Sequence, residues 1–188
     1  MHRPFHRQEP PSVYRGVVLG LTGSVLGVLA MGQYWTKVAP LLSDSSQGDD
    51  DAPDQNVISP LGQQHEPGES STAALGRFAY QAVTGKTPGK ETRAALSEAV
   101  HWGFGVLSGA AFGAITARQQ KANPLTGAAF GAAMWAVFDE GMVPLLGLQD
   151  GPAASPVSGH LNRLGAHLSY GAALGLGVWA LGRVLPKD

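Results

Sequence analysis

The chain has 188 residues, a formal net charge of −1, 26 glycines and 14% charged residues, whereas soluble domains have about a quarter of their residues charged. This composition excludes a disordered chain, and the near-zero net charge offers no basic field for nucleic acid. The absence of cysteine excludes disulfides, thiolate zinc sites and cysteine nucleophiles. Nine of the 14 acidic residues lie between Asp44 and Glu98, so the remainder of the chain is strongly apolar.

Four apolar segments are long enough to cross a bilayer, which takes about 20 residues. A basic segment, 1–15, precedes the first of them, 16–34, and the other three are 100–117, 125–148 and 160–185. All four are rich in Gly and Ala, which let membrane helices approach closely. The sequence therefore predicts an all-α fold, an integral membrane four-helix bundle with an additional amphipathic surface helix.

The first apolar segment has a second interpretation. A basic start, an apolar stretch and the small residues around Ala30-Met31-Gly32 also describe a cleavable signal peptide. The apolar stretch is long for a signal peptide, and its removal would leave three spans. A first membrane span is the preferred interpretation.

The long connection that follows divides into two parts. Residues 35–71 lack periodic apolar residues and are predicted to form a flexible, acidic outer loop. The residues Asp49, Asp50 and Asp51 lack the ligand spacing of a calcium loop and are interpreted as solvated charges. Residues 72–99 form an amphipathic outer helix and a lead-in to the second span, with Thr87 and Pro88 as the predicted helix start.

Basic residues beside short loops predict the orientation. They flank the start of span one, the connection 118–124 and the end of span four, which places both termini in the cytoplasm. The connection 149–159 has no Lys or Arg and is predicted to lie outside. The basic residues used are Arg3, Arg7, Arg15, Arg118, Lys121, Arg183 and Lys187.

Glycines repeat every four residues in the last three predicted spans, and each row leads outward to a polar group. The rows end at His101, Asp139 and His167, which a rise of about 1.5 Å per residue places at one depth in the outer leaflet. The glycines predicted to pack the helices are Gly105, Gly109, Gly113, Gly127, Gly131, Gly171 and Gly175.

Ionisable residues within membrane spans indicate a functional site. The predicted intramembrane cluster consists of His101, Asp139, Glu140 and His167, with His160 and Tyr170 around it. It fits three interpretations: hydrogen bonds that join the helices, a proton- or cation-responsive cluster, or a transition-metal site at His101, Asp139 and His167. A bis-His haem is the least favoured cofactor because Asp139 would lie against the macrocycle.

Short motifs in the second half resemble the YagU-like family of small bacterial inner-membrane proteins. They are the segments 101–105 (HWGFG), 139–140 (DE) with 144–148 (PLLGL), and 167–171 (HLSYG), together with His160. The resemblance covers roughly the last 90 residues. It implies a multi-pass membrane protein of the bacterial inner membrane whose biochemical activity is poorly defined.

The leading functional interpretation is a non-enzymatic membrane subunit or stress-related protein whose buried cluster responds to protons or a cation. No nucleophile elbow, Ser/His/Asp ordering or phosphate loop is present, so no catalytic residue is assigned. The alternatives are an accessory subunit of a respiratory or photosynthetic complex, and a metal-binding protein or metal-dependent enzyme. The expected partners are the bilayer and a second copy or a larger membrane complex, and no nucleic acid.

Overall fold

The computed structural model describes residues 12–42, 56–119 and 121–185, and over these ranges it contains helices and loops but no strand. The N-terminal segment to residue 11, the aspartates at 49–51 and Lys187 lie outside the described residues. The helices are α1 (Val13–Lys37), α2 (Ala39–Leu42), α3 (Ser71–Thr84), α4 (Lys90–Ala117), α5 (Pro124–Met134), a π-helical segment (Trp135–Met142), α6 (Val143–Leu145) and α7 (Val157–Val184), with a 3₁₀ turn at Pro152–Ala154.

Three of these helices, α1, α4 and α7, are long and apolar enough to cross a membrane. The segment predicted as the third span, 125–148, is divided between α5, the π-helical segment and α6. No single helix within it reaches the length of a span. The helical path is nevertheless continuous from residue 124 to residue 145, and it covers about 30 Å.

Local capping sets where α1 and α5 begin. The Ser12 hydroxyl accepts a hydrogen bond from the Arg15 amide and caps α1. Asn123 and Thr126 form a reciprocal capping box at α5, and Pro124 occupies the first turn, where its missing N–H is not needed. Arg15 also donates to the carbonyl oxygens of Gly182 and Leu185, so the start of α1 lies beside the end of α7.

Glycines lie where the long helices approach one another most closely. A Cβ added to Gly20 of α1 would overlap the carbonyl oxygen of Gly109 in α4, and a Cβ on Gly127 of α5 would overlap that of Gly171 in α7. The ring of Tyr170 in α7 lies against Gly27 of α1 in the same way. These contacts join α4 to α1, α1 to α7 and α7 to α5. Close backbone approach of this kind stabilises helix pairs in lipid, where the hydrophobic effect between helices is absent.

Aromatic rings connect α4 to the segment 124–145. Phe112 meets Phe130 at a centroid distance of 5.3 Å, and Phe104 meets Phe138 at 4.8 Å in an edge-to-face arrangement. Phe112 is almost completely buried. The contact between these two elements is therefore made by large rings, whereas the other helix pairs meet through glycine.

Large apolar side chains lie on the surface of the helices. Ser24 is fully buried between α1 and α4, while Leu107, Ile115 and Leu125 are more than half exposed. Such a distribution is unfavourable in water and normal against lipid. The packing thus agrees with the membrane character of α1, α4 and α7.

Residues 56–70 form a loop that is bonded to the connection before α7. The Ser59 hydroxyl donates to the Leu145 carbonyl at 2.9 Å, and the amides of Gln64 and His65 donate to the Gly147 carbonyl at 2.9 and 3.1 Å. Over residues 56–70 this differs from the flexible outer loop predicted for 35–71, of which residues 43–55 lie outside the described ranges. The sequence pattern missed it because the loop is held by backbone hydrogen bonds, which leave no apolar periodicity.

Helix α3 packs across the first turns of α4, and we call residues 56–85 the cap. Gly76 of α3 lies against Leu96, and the hydroxyls of Thr72 and Ser97 are 2.8 Å apart. The predicted start of the next helix at Thr87 is wrong, since Gly89 is the N-cap of α4. The Thr87 hydroxyl instead accepts a hydrogen bond from Gln81.

Candidate functional site

The π-helical segment carries Asp139 and Glu140 beside α7. Its hydrogen bonds run from one residue to the fifth before it, as from the Val143 amide to the Phe138 carbonyl. Pro144 has no N–H with which to bond the Glu140 carbonyl, so the ordinary α-helical ladder cannot continue there. A π turn of this type is frequent at functional sites.

Glu140 forms the centre of a polar network with two residues of α7. Its Oε1 lies 2.7 Å from His160 Nδ1 and 3.4 Å from Arg163 Nη2. The Nε2 of His160 lies 3.0 Å from the Pro152 carbonyl oxygen. Each ring nitrogen therefore has an acceptor as its shortest contact, while Nδ1 also lies 3.3 Å from Arg163 Nη2. Only the doubly protonated imidazole can donate to both acceptors.

Asp139 and His167 are neighbours without a direct hydrogen bond. The distance from His167 Nδ1 to Asp139 Oδ2 is 3.7 Å, while the same nitrogen is 3.0 Å from the Arg163 carbonyl oxygen. That carbonyl is the shorter partner, so His167 Nδ1 donates to its own helix. The Asp139 backbone carbonyl accepts from the Gln149 side chain at 2.5 Å.

His101 does not join these residues, and this corrects the predicted cluster. Within the described ranges it makes no hydrogen bond or ion pair. The rings of Phe104 and Phe138 occupy the contact between α4 and the π-helical segment at this level. No group of three or more His, Asp or Glu among the described residues could hold a metal ion, so the predicted site at His101, Asp139 and His167 is not formed.

Tyr170 has a different position from the one predicted for it. Its hydroxyl donates to the Gly105 carbonyl of α4 at 2.5 Å, and the residue is almost fully buried. It connects α7 to α4 rather than supporting the carboxylates.

Sequence reasoning missed Arg163 and placed His160 at the periphery, although both contact Glu140. The spacing of His160, Arg163 and His167 by three and four residues puts them on one face of α7 and could have revealed the network.

A second charged cluster, also missed, holds the cap together. The buried Arg77 donates to both oxygens of Glu69 at 2.8 to 3.3 Å and to the Gln64 carbonyl at 2.8 Å. Arg93 of α4 is paired with Glu66 and lies 3.5 Å from Glu69. The hydrogen bonds from Arg77 hold the pKa of Glu69 below its ordinary value, although burial opposes this shift.

A polar cavity of about 260 Å³ lies between the cap and the network around Glu140. Its lining includes His65 and Glu69 of the cap, Gln149 and Asp150 of the following connection, and Arg163 of α7. Arg163 is thus shared between the cavity and the network. Water in this cavity would reach the edge of the helices.

Comparison of the chain with protein-family models, curated proteins and solved structures finds no match.

Proposed function

We propose that this chain is a four-span protein of the bacterial plasma membrane whose network of Glu140, His160 and Arg163 responds to protons. The single observation that carries the proposal is the position of His160 between two acceptors, the Glu140 carboxylate and the Pro152 carbonyl. Loss of a proton from this imidazole removes one of its two hydrogen bonds. The network then loses a positive charge beside a half-buried carboxylate.

The fourth span in this proposal is the continuous helical path 124–145. Two observations support it: its length of about 30 Å matches a hydrocarbon core, and α5 contacts α7 through glycine along its length. Its outward residues Leu125 and Val137 are more than half exposed. A bilayer would cover these side chains.

The orientation in this proposal places the cap outside the cell. Arg15, Arg118, Lys121 and Arg183 lie at the end of the helices opposite the cap, and basic residues beside short loops favour the cytoplasmic side. The YagU-like resemblance implies the same membrane and remains a prediction. We infer no catalytic step.

The accessory-subunit alternative predicted that glycine faces dock onto a larger complex. The glycines at closest approach contact helices of the same chain, including Gly109 against Gly20 and Gly171 against Gly127. A docking surface for a larger complex or a second copy would have to use the apolar residues that face lipid. We therefore prefer a proton-responsive protein to an accessory subunit.

The test is the pH dependence of thermal unfolding in lipid nanodiscs, measured for the wild type and for His160→Asn. We expect the unfolding temperature of the wild type to fall as the pH rises, because the neutral ring cannot donate to both acceptors. His160→Asn should flatten this profile. His101→Asn, which removes an imidazole without hydrogen-bond partners, should keep it. Parallel profiles for the wild type and His160→Asn would contradict the proposal.

A further inference from the structure

The strongest feature outside the network is a histidine and a carboxylate that face each other beside the cavity. His65 belongs to the cap and Asp150 to the connection before α7, and Nε2 of His65 lies 3.7 Å from Oδ1 of Asp150. The His65 side chain is 9% exposed. Both facing atoms are buried and lack a hydrogen-bond partner among the described residues.

The hydrogen bond of the other ring nitrogen of His65 determines whether Nε2 is a donor or an acceptor. Nδ1 lies 3.3 Å from the Glu66 carbonyl oxygen and can act toward it only as a donor. In the neutral ring, Nε2 therefore presents a lone pair to Asp150. Two acceptors face each other across a gap that needs a positive charge.

The distance between His65 Nε2 and Asp150 Oδ1 distinguishes a proton from a metal ion as the positive charge between them. A proton on Nε2 would form a hydrogen bond of about 2.7 to 3.2 Å, and the observed 3.7 Å is longer. If a transition-metal ion lay about 2.1 Å from each of the two atoms, the N–metal–O angle would be roughly 120°, close to tetrahedral. A backbone carbonyl that accepts from the remote ring nitrogen is also the usual support of a metal-bound histidine.

We propose that His65 and Asp150 bind a transition-metal ion of the zinc type between the cap and the connection before α7. The two protein ligands leave the remaining coordination positions to water in the 260 Å³ cavity. Imidazole nitrogen with one carboxylate oxygen suits Zn²⁺ rather than Mg²⁺ or Ca²⁺, which prefer oxygen ligands alone. The bound ion would fasten the cap onto the helices. This site is separate from the Glu140 network and does not depend on the proposed function.

The test is isothermal titration of Zn²⁺ into the full-length protein in nanodiscs, without an affinity tag that contains histidine. His2 and His6 in the N-terminal segment are replaced by Asn in every sample, because they supply imidazoles of their own. We expect about one Zn²⁺ per chain, no heat from Mg²⁺, and an affinity lowered at least about tenfold by His65→Ala or Asp150→Asn.

Two further variants separate ligation from folding. Asp150→His replaces one ligand type by another and should restore Zn²⁺ binding that Asp150→Asn loses. Glu98→Gln removes an exposed carboxylate of α4 and should bind as the parent does. Zn²⁺ should also raise the unfolding temperature of the parent and not that of His65→Ala. Absence of Zn²⁺ binding in the parent, or equal binding in both ligand variants, would overturn the proposal.

Discussion

At the scale of single residues, two glycines of α4 have opposite surroundings. A Cβ on Gly109 would overlap Ser24 and the Gly20 carbonyl, whereas a Cβ on Gly103 would meet nothing within 4 Å. The rows of glycine in the sequence predicted where helices pack, but a row alone does not tell which member lies at the contact. The partner helix decides that.

The first prediction compares alanine at these two positions. Gly109→Ala should lower the free energy of unfolding by about 1 to 3 kcal/mol because neighbouring backbone must move. Gly103→Ala should leave it unchanged or raise it by up to about 1 kcal/mol through helix propensity. Thermal unfolding in detergent measures both. Equal destabilisation by the two variants would show that α4 does not pack on α1 as described.

Arg77 shows the limit of sequence patterns at the same scale. The sequence predicts only an amphipathic helix over this segment, whereas Arg77 within it is buried and donates to Glu69. Residues 64–69 supply its partners, and their irregular path has no signature in the sequence. The ion pair therefore could not be predicted from periodicity.

The second prediction concerns Glu69 and acid. Folding lowers the pKa of Glu69 from its ordinary 4.5, chiefly through the hydrogen bonds from Arg77, so the ionised carboxylate stabilises the cap above that pH. This stabilisation is lost as the pH falls through the lowered pKa. The protection of the α3 amides against hydrogen exchange, corrected for the intrinsic exchange rate at each pH, should fall below about pH 4.5.

Glu69→Gln should accelerate that exchange at neutral pH as well. It removes the carboxylate that accepts hydrogen bonds from the buried guanidinium and leaves only Glu66, 3.6 Å away, so the cap should lose about 3 kcal/mol. The exposed Glu98→Gln is the matched control and should exchange like the wild type. Slow exchange in Glu69→Gln at neutral pH would mean that the ion pair does not hold the cap.

At the scale of elements, the apolar runs predicted α1, α4 and α7 closely, but not the π-helical segment. Hydropathy reports where apolar residues lie. It does not change when the backbone hydrogen bonds shift from the fourth to the fifth preceding residue. Pro144 was the available signal, because a proline interrupts the α-helical hydrogen-bond pattern. The structure places the five-residue pattern just before this proline.

The third prediction is that Pro144 supports the pairing of Glu140 with His160. A double-mutant cycle of Glu140→Gln and His160→Asn should give a coupling energy of about 0.5 to 3 kcal/mol. In a Pro144→Ala background the residue regains an N–H for the Glu140 carbonyl, which favours the α-helical pattern and turns the carboxylate away. The coupling should then fall to about 0.5 kcal/mol or less.

The pair Asp139 and His167 is the control for this cycle. Its atoms are 3.7 Å apart with no hydrogen bond between them, so Asp139→Asn and His167→Asn should couple more weakly than Glu140 and His160. If Pro144→Ala leaves the coupling between Glu140 and His160 intact, the π turn does not support their pairing.

At the scale of the whole molecule, equal predicted depth in the membrane was a poor guide to contact. Residues at one depth meet only when their helices are neighbours and face each other. His160 contacts Glu140 because α7 lies beside the π-helical segment, while large aromatic rings occupy the contact made by α4. His101 was assigned to the cluster by its glycine row and its depth, and neither shows which helix the row contacts.

The central claim is a four-span protein with the cap outside, and substituted-cysteine labelling tests it most directly. The chain has no native cysteine, so single cysteines at the exposed Ala153 and Lys121 report the two ends of the segment 124–145. In intact bacteria, a membrane-impermeant maleimide should label Ala153→Cys, while Lys121→Cys should react only after the membrane is permeabilised. Labelling of both cysteines from the same side would show that this segment does not cross the membrane, and the reversed pattern would place the cap in the cytoplasm.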